Sequence, residues 1–229
     1  MLNEIVLILF YVAILIYSVI LHEVSHGVMA LWLGDATAKY AGRITANPFK
    51  HIDPWMTIGM PIMMLLLTGF AFGAAKPVPY NPYNLRNQKW GPALVGLAGP
   101  LSNISIAIIA AILAKFIALP VAVKGDIVSN FNNWGKISAT IAGSGGAIAY
   151  EILVIIIFWN VVLAFFNLIP IPPLDGSKLL FAIFKIRIEV MAILEQFGFI
   201  ILLFFIIVFS APLGAFLNFM LNLFLGIAV

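Results

Sequence analysis

Long apolar runs separated by short polar connections make up most of the chain. They predict a helix over residues 5–33, a second over 91–119 and a third over 141–168. Each run is long enough to cross a bilayer, which takes about 20 apolar residues. Residues 190–228 predict one or two further helices, divided near Pro212. The pattern therefore indicates an all-α polytopic membrane protein, with residues 1–229 forming one domain.

The apolar run over residues 55–72 is marginal for a crossing, because Gly59 and Pro61 interrupt it. If it crossed, five basic residues would lie on one side of the membrane and six on the other. If it dips in and returns, only Lys124 and Lys136 face one side, and nine basic residues share the other. Those nine are Lys39, Arg43, Lys50, Lys76, Arg86, Lys89, Lys178, Lys185 and Arg187. We predict a re-entrant segment, nine cytoplasmic bases and an N-terminus outside.

Two connections carry weaker signals. The stretch "AGRITANP", residues 41–48, is compatible with a short extended segment whose edge would receive an unwound peptide. The alternative is a plain connecting loop. The polar stretch from Pro120 to about Ser138 predicts a loop between the second and third helices.

The composition excludes several classes of protein. The chain is 63% hydrophobic and 9% charged, whereas about a quarter of the residues of a soluble domain are charged. The net charge of +3 lies mainly in the connections, which indicates membrane orientation rather than nucleic-acid binding. There is no cysteine, so a metal site would use nitrogen and oxygen ligands.

The first helix contains the motif "HEVSH". His22 and His26 are four residues apart and share one helical face, so both imidazoles can reach one ion. Glu23 is offset around the helix, where a general base would stand. This HExxH pattern is typical of two zinc ligands and the base of a metalloprotease. Ionisable groups inside a membrane are costly and usually functional, which favours this reading over polar helix packing.

A catalytic zinc site needs a third protein ligand. Asp175 is favoured, because three prolines in "NLIPIPPLDG" break the backbone beside it. Irregular backbone at membrane depth occurs where it is buried in protein or lines a wet cavity. An ordinary turn is the alternative for this stretch. The candidates are Asp175, His51, Asp53, Glu151 and Glu195.

The motifs "HEVSH", "GLAGPLSN" and "FNLIPIPPLDG", in this order on three helices, resemble those of the site-2 protease family of intramembrane zinc metalloproteases. "AKPVPYNP" and "NPFKHIDP" are similar to its compact prokaryotic branch, which has neither a PDZ nor a nucleotide-sensing domain. The resemblance implies one Zn²⁺ per chain, bound by His22, His26 and Asp175, with Glu23 catalytic.

The resemblance also offers Asn103 and Asn167 as donors to the substrate or to its oxyanion. For both asparagines, an interhelical hydrogen bond is the alternative.

The implied function is zinc-dependent endoproteolysis in or near the transmembrane helix of a membrane-tethered substrate, as in regulated intramembrane proteolysis. Such substrates include anti-sigma factors and other membrane-bound regulators. The expected location is the cell membrane, with the active site toward the cytoplasm and no nucleic acid bound. One alternative is a membrane zinc transporter or sensor, which would place ionisable residues along a path. The other is a membrane-anchored zinc protease for soluble or misfolded proteins, which would need an aqueous domain.

Overall fold

Nine α-helices account for most of the computed structural model, which describes residues 2–59, 62, 63, 65, 66, 76–131 and 133–229. No strand occurs among these residues. The helices are α1 (Leu2–Trp32), α2 (Thr37–Tyr40), α3 (Gly91–Lys115), α4 (Val121–Asn130), α5 (Trp134–Ile141), α6 (Gly145–Asn167), α7 (Gly176–Ile183), α8 (Ile188–Gln196) and α9 (Gly198–Ala228). Within the described residues, α1, α3, α6 and α9 are long and apolar enough to cross a membrane. The prediction of an all-α polytopic membrane protein is confirmed.

The central helix of this bundle is α3, which packs against α1, α6 and α9. Its buried face carries small side chains, and Ala107, Ala111 and Ala114 are all 0% exposed. Small residues at a helix interface let the backbones approach closely. From α6, Val154 and Val161 fill the same apolar core. The close approach of α1, α3 and α6 brings polar groups on the three helices within hydrogen-bonding distance.

The C-terminal end of α1 is tied to the connection before α3. Gly34 has a φ of +111°, a left-handed conformation that favours glycine after a helix. Asp35 follows and is fully buried, with hydrogen bonds from the backbone and hydroxyl of Thr37, the Asn81 backbone and the Asn84 amide. Burial opposes ionisation of Asp35, but these hydrogen bonds outweigh it and lower its pKa. The loop around residues 81–84 is thereby held against α1.

The predicted re-entrant segment, residues 55–72, lies partly outside the described residues. Its described beginning is a π-helical turn, Pro54–Gly59. The two flanks of the segment meet, because the Lys76 backbone N–H donates to the His51 carbonyl at 2.9 Å. The Arg43 guanidinium also donates to the Lys76 carbonyl, at 2.6 Å. The chain thus leaves and returns at the same place, which supports a re-entrant segment; the dip into the membrane stays a prediction.

The structure supports the loop alternative for one connection and differs from the sequence-based expectation for another. Residues 41–47 form turns and bends rather than an extended segment, so the plain connecting loop is the better description. The stretch expected as a loop between the second and third helices contains α4 and α5. Asn133 precedes α5, and its side chain accepts a hydrogen bond from the Lys136 backbone N–H. Polar residues that suggested a loop therefore include a helix cap.

The C-terminal region has a kink beside the division expected near Pro212 and a further break before it. The break between α8 and α9 lies between Gln196 and Gly198, and α9 then continues through Pro212. It is kinked at Phe209, whose φ and ψ are −110° and 19°. Pro212 cannot donate to the carbonyl four residues before it, which explains a kink on this turn.

Candidate metal centre and active site

Side chains from two distant parts of the sequence meet at one end of the bundle. The Nε2 atoms of His22 and His26 lie 3.0 and 3.2 Å from Oδ2 of Asp175. Ligand atoms around a tetrahedral zinc ion with bonds of about 2.0–2.2 Å are separated by roughly 3.3–3.6 Å. All three side chains are buried. Two nitrogens and one oxygen at this spacing fit a single zinc ion.

Gly99 of α3 makes room for the two imidazoles. The His22 and His26 rings are almost perpendicular, at 86°, with their centroids 4.6 Å apart. A Cβ atom on Gly99 would lie 2.5–2.6 Å from atoms of both rings. Only a residue without a side chain lets α3 approach so closely. The "GLAGPLSN" motif therefore supplies space for the site as well as polar chemistry.

The far nitrogen of each imidazole is held by a carbonyl oxygen. His22 Nδ1 lies 2.6 Å from Asn103 Oδ1, and His26 Nδ1 lies 2.6 Å from the Val95 backbone oxygen. Carbonyl oxygens can only accept, so both Nδ1 atoms donate. Each Nε2 is then the nitrogen presented to the shared centre, as ligation of one metal ion requires.

Asp175 precedes α7 and is oriented through both carboxylate oxygens. While Oδ2 faces the histidines, Oδ1 lies 3.0 Å from the Lys178 ammonium, one turn along the chain. The Lys178 Nζ also lies 5.7 Å from the ring centroid of Tyr80. Burial raises the pKa of Asp175, but Lys178 and the two histidines lower it well below its usual range. The carboxylate is therefore ionised at neutral pH, as a metal ligand must be.

Glu23 stands beside the ligand cluster and is not part of it. It is half-buried, and its Oε2 accepts a hydrogen bond of 2.8 Å from the Val78 backbone N–H. The Val78 side chain packs against α1 at Gly27, where a Cβ would lie 2.9 Å from it. The segment that contains Val78 thus lies along α1 and holds the Glu23 carboxylate on the helix that carries His22 and His26.

The other sequence-predicted residues occupy different surroundings. Asn103 is 0% exposed and contacts His22, while its amide nitrogen donates to Asn160. Asn167 donates to the Leu163 carbonyl of its own helix. Roles for Asn103 and Asn167 toward a substrate stay predictions.

The alternative third ligands do not join His22 and His26 in the described part of the chain; they are His51, Asp53, Glu151 and Glu195. His51 is buried, and its Nε2 donates to the Thr45 carbonyl. Residues that sequence reasoning missed are Gly99, Lys178 and Val78. The glycine and the valine carry no side-chain chemistry, and the lysine looked like an ordinary loop cation.

The model of peptidase family M50 matches residues 10–209, a range that contains all the residues of the cluster. The chain belongs to peptidase family M50, the site-2 protease family. This M50 chain is similar to the protein named "Putative zinc metalloprotease YwhC" of Bacillus subtilis (strain 168). The two are 34% identical over 213 residues, which are 90% of this chain and 83% of YwhC.

Two Rip2 proteins with the same description are more distant from this M50 chain. Rip2 of Mycolicibacterium smegmatis is 30% identical over 92 residues, 40% of this chain and 34% of Rip2. Rip2 of Mycobacterium tuberculosis H37Rv is 23% identical over 196 residues, 85% of this chain and 64% of that protein. No solved structure matches the chain. The family and its zinc-metalloprotease members, together with the donor set, confirm the predicted membrane metalloprotease and its zinc cofactor.

Proposed function

We propose that this M50 chain is an intramembrane endopeptidase that hydrolyses a peptide bond in or beside a substrate's transmembrane helix. The observation that carries this proposal is the position of Glu23 and of His22 and His26 inside α1, a helix able to span the membrane. The described residues outside the four long helices form short helices and turns, with no separate domain around the site. A scissile bond must therefore reach the site at membrane depth.

The chain's own residues have distinct tasks in this reaction. His22, His26 and Asp175 hold Zn²⁺, which when bound polarises the scissile carbonyl and favours deprotonation of water. Glu23 accepts a proton from the attacking water and delivers it to the amine nitrogen as the C–N bond breaks. The Val78 N–H donates a hydrogen bond to the Glu23 carboxylate and keeps it in place.

The substrates we propose are membrane-tethered proteins, such as anti-sigma factors and other membrane-bound regulators. Cleavage of such a substrate would release its soluble part, as in regulated intramembrane proteolysis. We place the protein in the cell membrane, with the site toward the cytoplasm and the N-terminus outside. The nine basic residues of the connections at the site's end of the bundle support this orientation.

The arrangement favours proteolysis over zinc transport or sensing. A transport path needs several ionisable groups along its length. Here His22, His26 and Asp175 converge on one point, and Glu23 beside them has no evident task in transport. A protease for soluble proteins would need an aqueous domain around the site, and the described residues outside the long helices form only short helices and turns.

The test compares the wild type with Glu23→Gln in lipid vesicles. The substrates are a panel of single-span membrane proteins and an unfolded soluble protein. We expect Glu23→Gln to retain zinc and to lose cleavage of the single-span substrates by roughly 10²–10⁴-fold, the usual contribution of a general base. The matched control is Glu151→Gln, the same chemical change on a buried glutamate of α6, which should cleave like the wild type.

Three outcomes would contradict the proposal. Full cleavage by Glu23→Gln would remove the assigned base. Cleavage of the soluble protein alone would favour the membrane-anchored protease. Zinc flux across the vesicles without cleavage of any substrate would favour transport.

A further inference from the structure

A line of buried polar side chains leads from the metal centre into the apolar bundle. Asn103 of α3 and Asn160 of α6 are both 0% exposed, and Ser18 of α1 is 4% exposed. His22 Nδ1 donates to Asn103 Oδ1 at 2.6 Å, and Asn103 Nδ2 donates to Asn160 Oδ1 at 2.7 Å. Asn160 Nδ2 donates to Ser18 Oγ at 2.9 Å. Three helices thus contribute to one chain of hydrogen bonds that ends on a metal ligand.

Backbone carbonyls fix the direction of this chain. Asn160 Nδ2 also lies 2.8 Å from the Ile156 carbonyl, which can only accept, so the amide nitrogen must face it. Asn160 Oδ1 is then directed at Asn103. The Asn103 nitrogen likewise has the Ser18 carbonyl as an acceptor, at 3.3 Å. If either amide were flipped, its oxygen would face another oxygen and its nitrogen another nitrogen. Each amide therefore has one satisfactory orientation.

These fixed amide orientations determine which nitrogen of the His22 imidazole carries the proton. With Asn103 Oδ1 facing it, Nδ1 must carry a proton, and Nε2 is left to ligate. His26 is oriented by the Val95 backbone carbonyl, which no side-chain substitution removes. Of the two histidine ligands, His22 is therefore the one whose orientation depends on other side chains.

We propose that Asn103 and Asn160 are positioning residues that set the affinity for zinc by holding the His22 ring and its Nδ1 proton. The proposal rests on the metal site of the proposed protease and not on its choice of substrate. Partners of a metal-ligating histidine typically change metal affinity 10–100-fold when they are removed. Inside a membrane, no bulk water replaces a lost hydrogen-bond partner, so we expect the full loss to appear in the zinc affinity.

A purely structural role, as hydrogen-bonded contacts between helices, is the competing explanation. Four variants separate the two. Asn103→Leu removes the acceptor at similar size, whereas Asn103→Asp keeps an oxygen facing His22. Asn160→Leu acts one bond further from the metal. Glu151→Leu is the matched control, because Glu151 lies on the same helix as Asn160 and is equally buried. It is not part of the chain of hydrogen bonds.

The first measurement is zinc affinity, determined by chelator competition on purified protein in lipid nanodiscs. We expect Asn103→Leu to bind zinc roughly 10–100-fold more weakly, and Asn160→Leu roughly tenfold more weakly. Glu151→Leu should bind like the wild type, and Asn103→Asp should lose no more affinity than Asn160→Leu, because it keeps the oxygen facing His22 but cannot donate to Asn160. The proposal fails if Asn103→Leu and Asn160→Leu keep the wild-type affinity, or if Glu151→Leu loses as much. Asn160→Leu decides the point if Asn103→Leu does not fold.

The second measurement observes the proton itself, by NMR of zinc-loaded protein with ¹⁵N-labelled histidine. The chain has three histidines, so the signals can be assigned individually. We expect protected Nδ1 protons on His22 and His26, and the proton of His51 on Nε2. In Asn103→Leu, only the His22 proton signal should shift; an unchanged signal would overturn the proposal. Neither measurement needs a substrate, so its result is independent of the cleavage assay.

Discussion

The two ends of the helix bundle both bury ionisable groups, but they arrange them differently. We call the end with His22, His26 and Asp175 the metal end. The far end consists of the C-terminal ends of α3 and α9 and the N-terminal end of α6. At the metal end, side chains from separate parts of the chain converge within 3.2 Å of one carboxylate oxygen. Each of these side chains has a second partner behind it.

The far end buries ionisable groups without such convergence. The Lys124 ammonium contacts the carbonyls of Ala114, Lys115 and Ala228 at 3.0–3.5 Å, where it joins two helix ends. Both carboxylate oxygens of Glu151 are buried with no hydrogen-bond partner in the described part of the chain. Burial of an ionisable group inside a membrane is therefore a weak indicator of a metal site in this molecule. Convergence of several ionisable side chains on one point is the stronger one.

Removing a converging ligand should have the largest effect. Asp175→Ala takes away the oxygen that both histidines face, so we expect purified protein to lose its zinc. His51→Ala is the control, because His51 bonds to the Thr45 carbonyl and lies outside the cluster. Zinc content is measured by elemental analysis. Loss of metal from His51→Ala, with retention in Asp175→Ala, would move the site to the first loop.

The space at Gly99 should matter next most. In Gly99→Ala, the new Cβ would displace the rings of His22 and His26, and a ligand shift of about 1 Å can cost 10²-fold in rate. At the far end, a Cβ on Gly146 would make an ordinary contact of 3.6 Å. We therefore expect Gly99→Ala to weaken zinc binding and to reduce cleavage roughly 10²-fold, with Gly146→Ala unchanged. Equal behaviour of the two variants would show that close approach of α3 is unimportant.

Asp35 tests how firmly the connections are held at the metal end. Asp35→Asn replaces an acceptor of several hydrogen bonds, which should cost about 1–3 kcal/mol in the free energy of unfolding. Because the folded pKa of Asp35 is lowered, its contribution is complete above the ordinary aspartate pKa of about 3.9. It is lost as the pH falls from there through the folded pKa.

The measurement is the unfolding midpoint of the wild type and Asp35→Asn in detergent across pH. The difference should be constant from about pH 5 to pH 8 and should narrow below about pH 4. A difference that grows on acidification would contradict the assigned direction of the pKa shift.

The smallest effect is expected from Lys124→Met at the far end. The substitution removes hydrogen bonds to three carbonyls, but it also removes the cost of burying an ammonium, and the two terms should nearly cancel. We expect the free energy of unfolding to change by less than about 1 kcal/mol, with zinc binding unaltered. Denaturant titration in mixed micelles measures the first and chelator competition the second. Loss of zinc affinity would show that the two ends are coupled.

The sequence allowed prediction of the ligands because their chemistry and spacing are local. The HExxH pattern places His22 and His26 on one face, and the proline-broken backbone distinguishes Asp175 from the other acids. The partners of these ligands were not predictable in the same way. Asn103 and Asn160 are polar residues on separate apolar helices. Whether they meet depends on how α3 and α6 are oriented toward each other, and the sequence does not give this orientation.

The missed features of the fold have similar causes. Gly99 has no side chain, so its role exists only relative to the two imidazoles that approach it. The short helices α4 and α5 were expected as a loop, because a capping asparagine looks like a loop residue when the cap geometry is unknown. The role of Gly99 depends on the close approach of two helices, and the helix α5 depends on the backbone geometry of its cap. Neither can be deduced from residue types alone.

The bond between Val78 and Glu23 has a consequence for the alignment of the connecting segment along α1. Val78 lies between Pro77 and Pro79, and proline has no backbone N–H. Sliding this segment by one residue in either direction would therefore present Glu23 with a nitrogen that cannot donate. Of Pro77, Val78 and Pro79, only Val78 has a backbone N–H, so the hydrogen bond to Glu23 forms in one alignment and in neither neighbouring one. The segment therefore keeps a single register on α1.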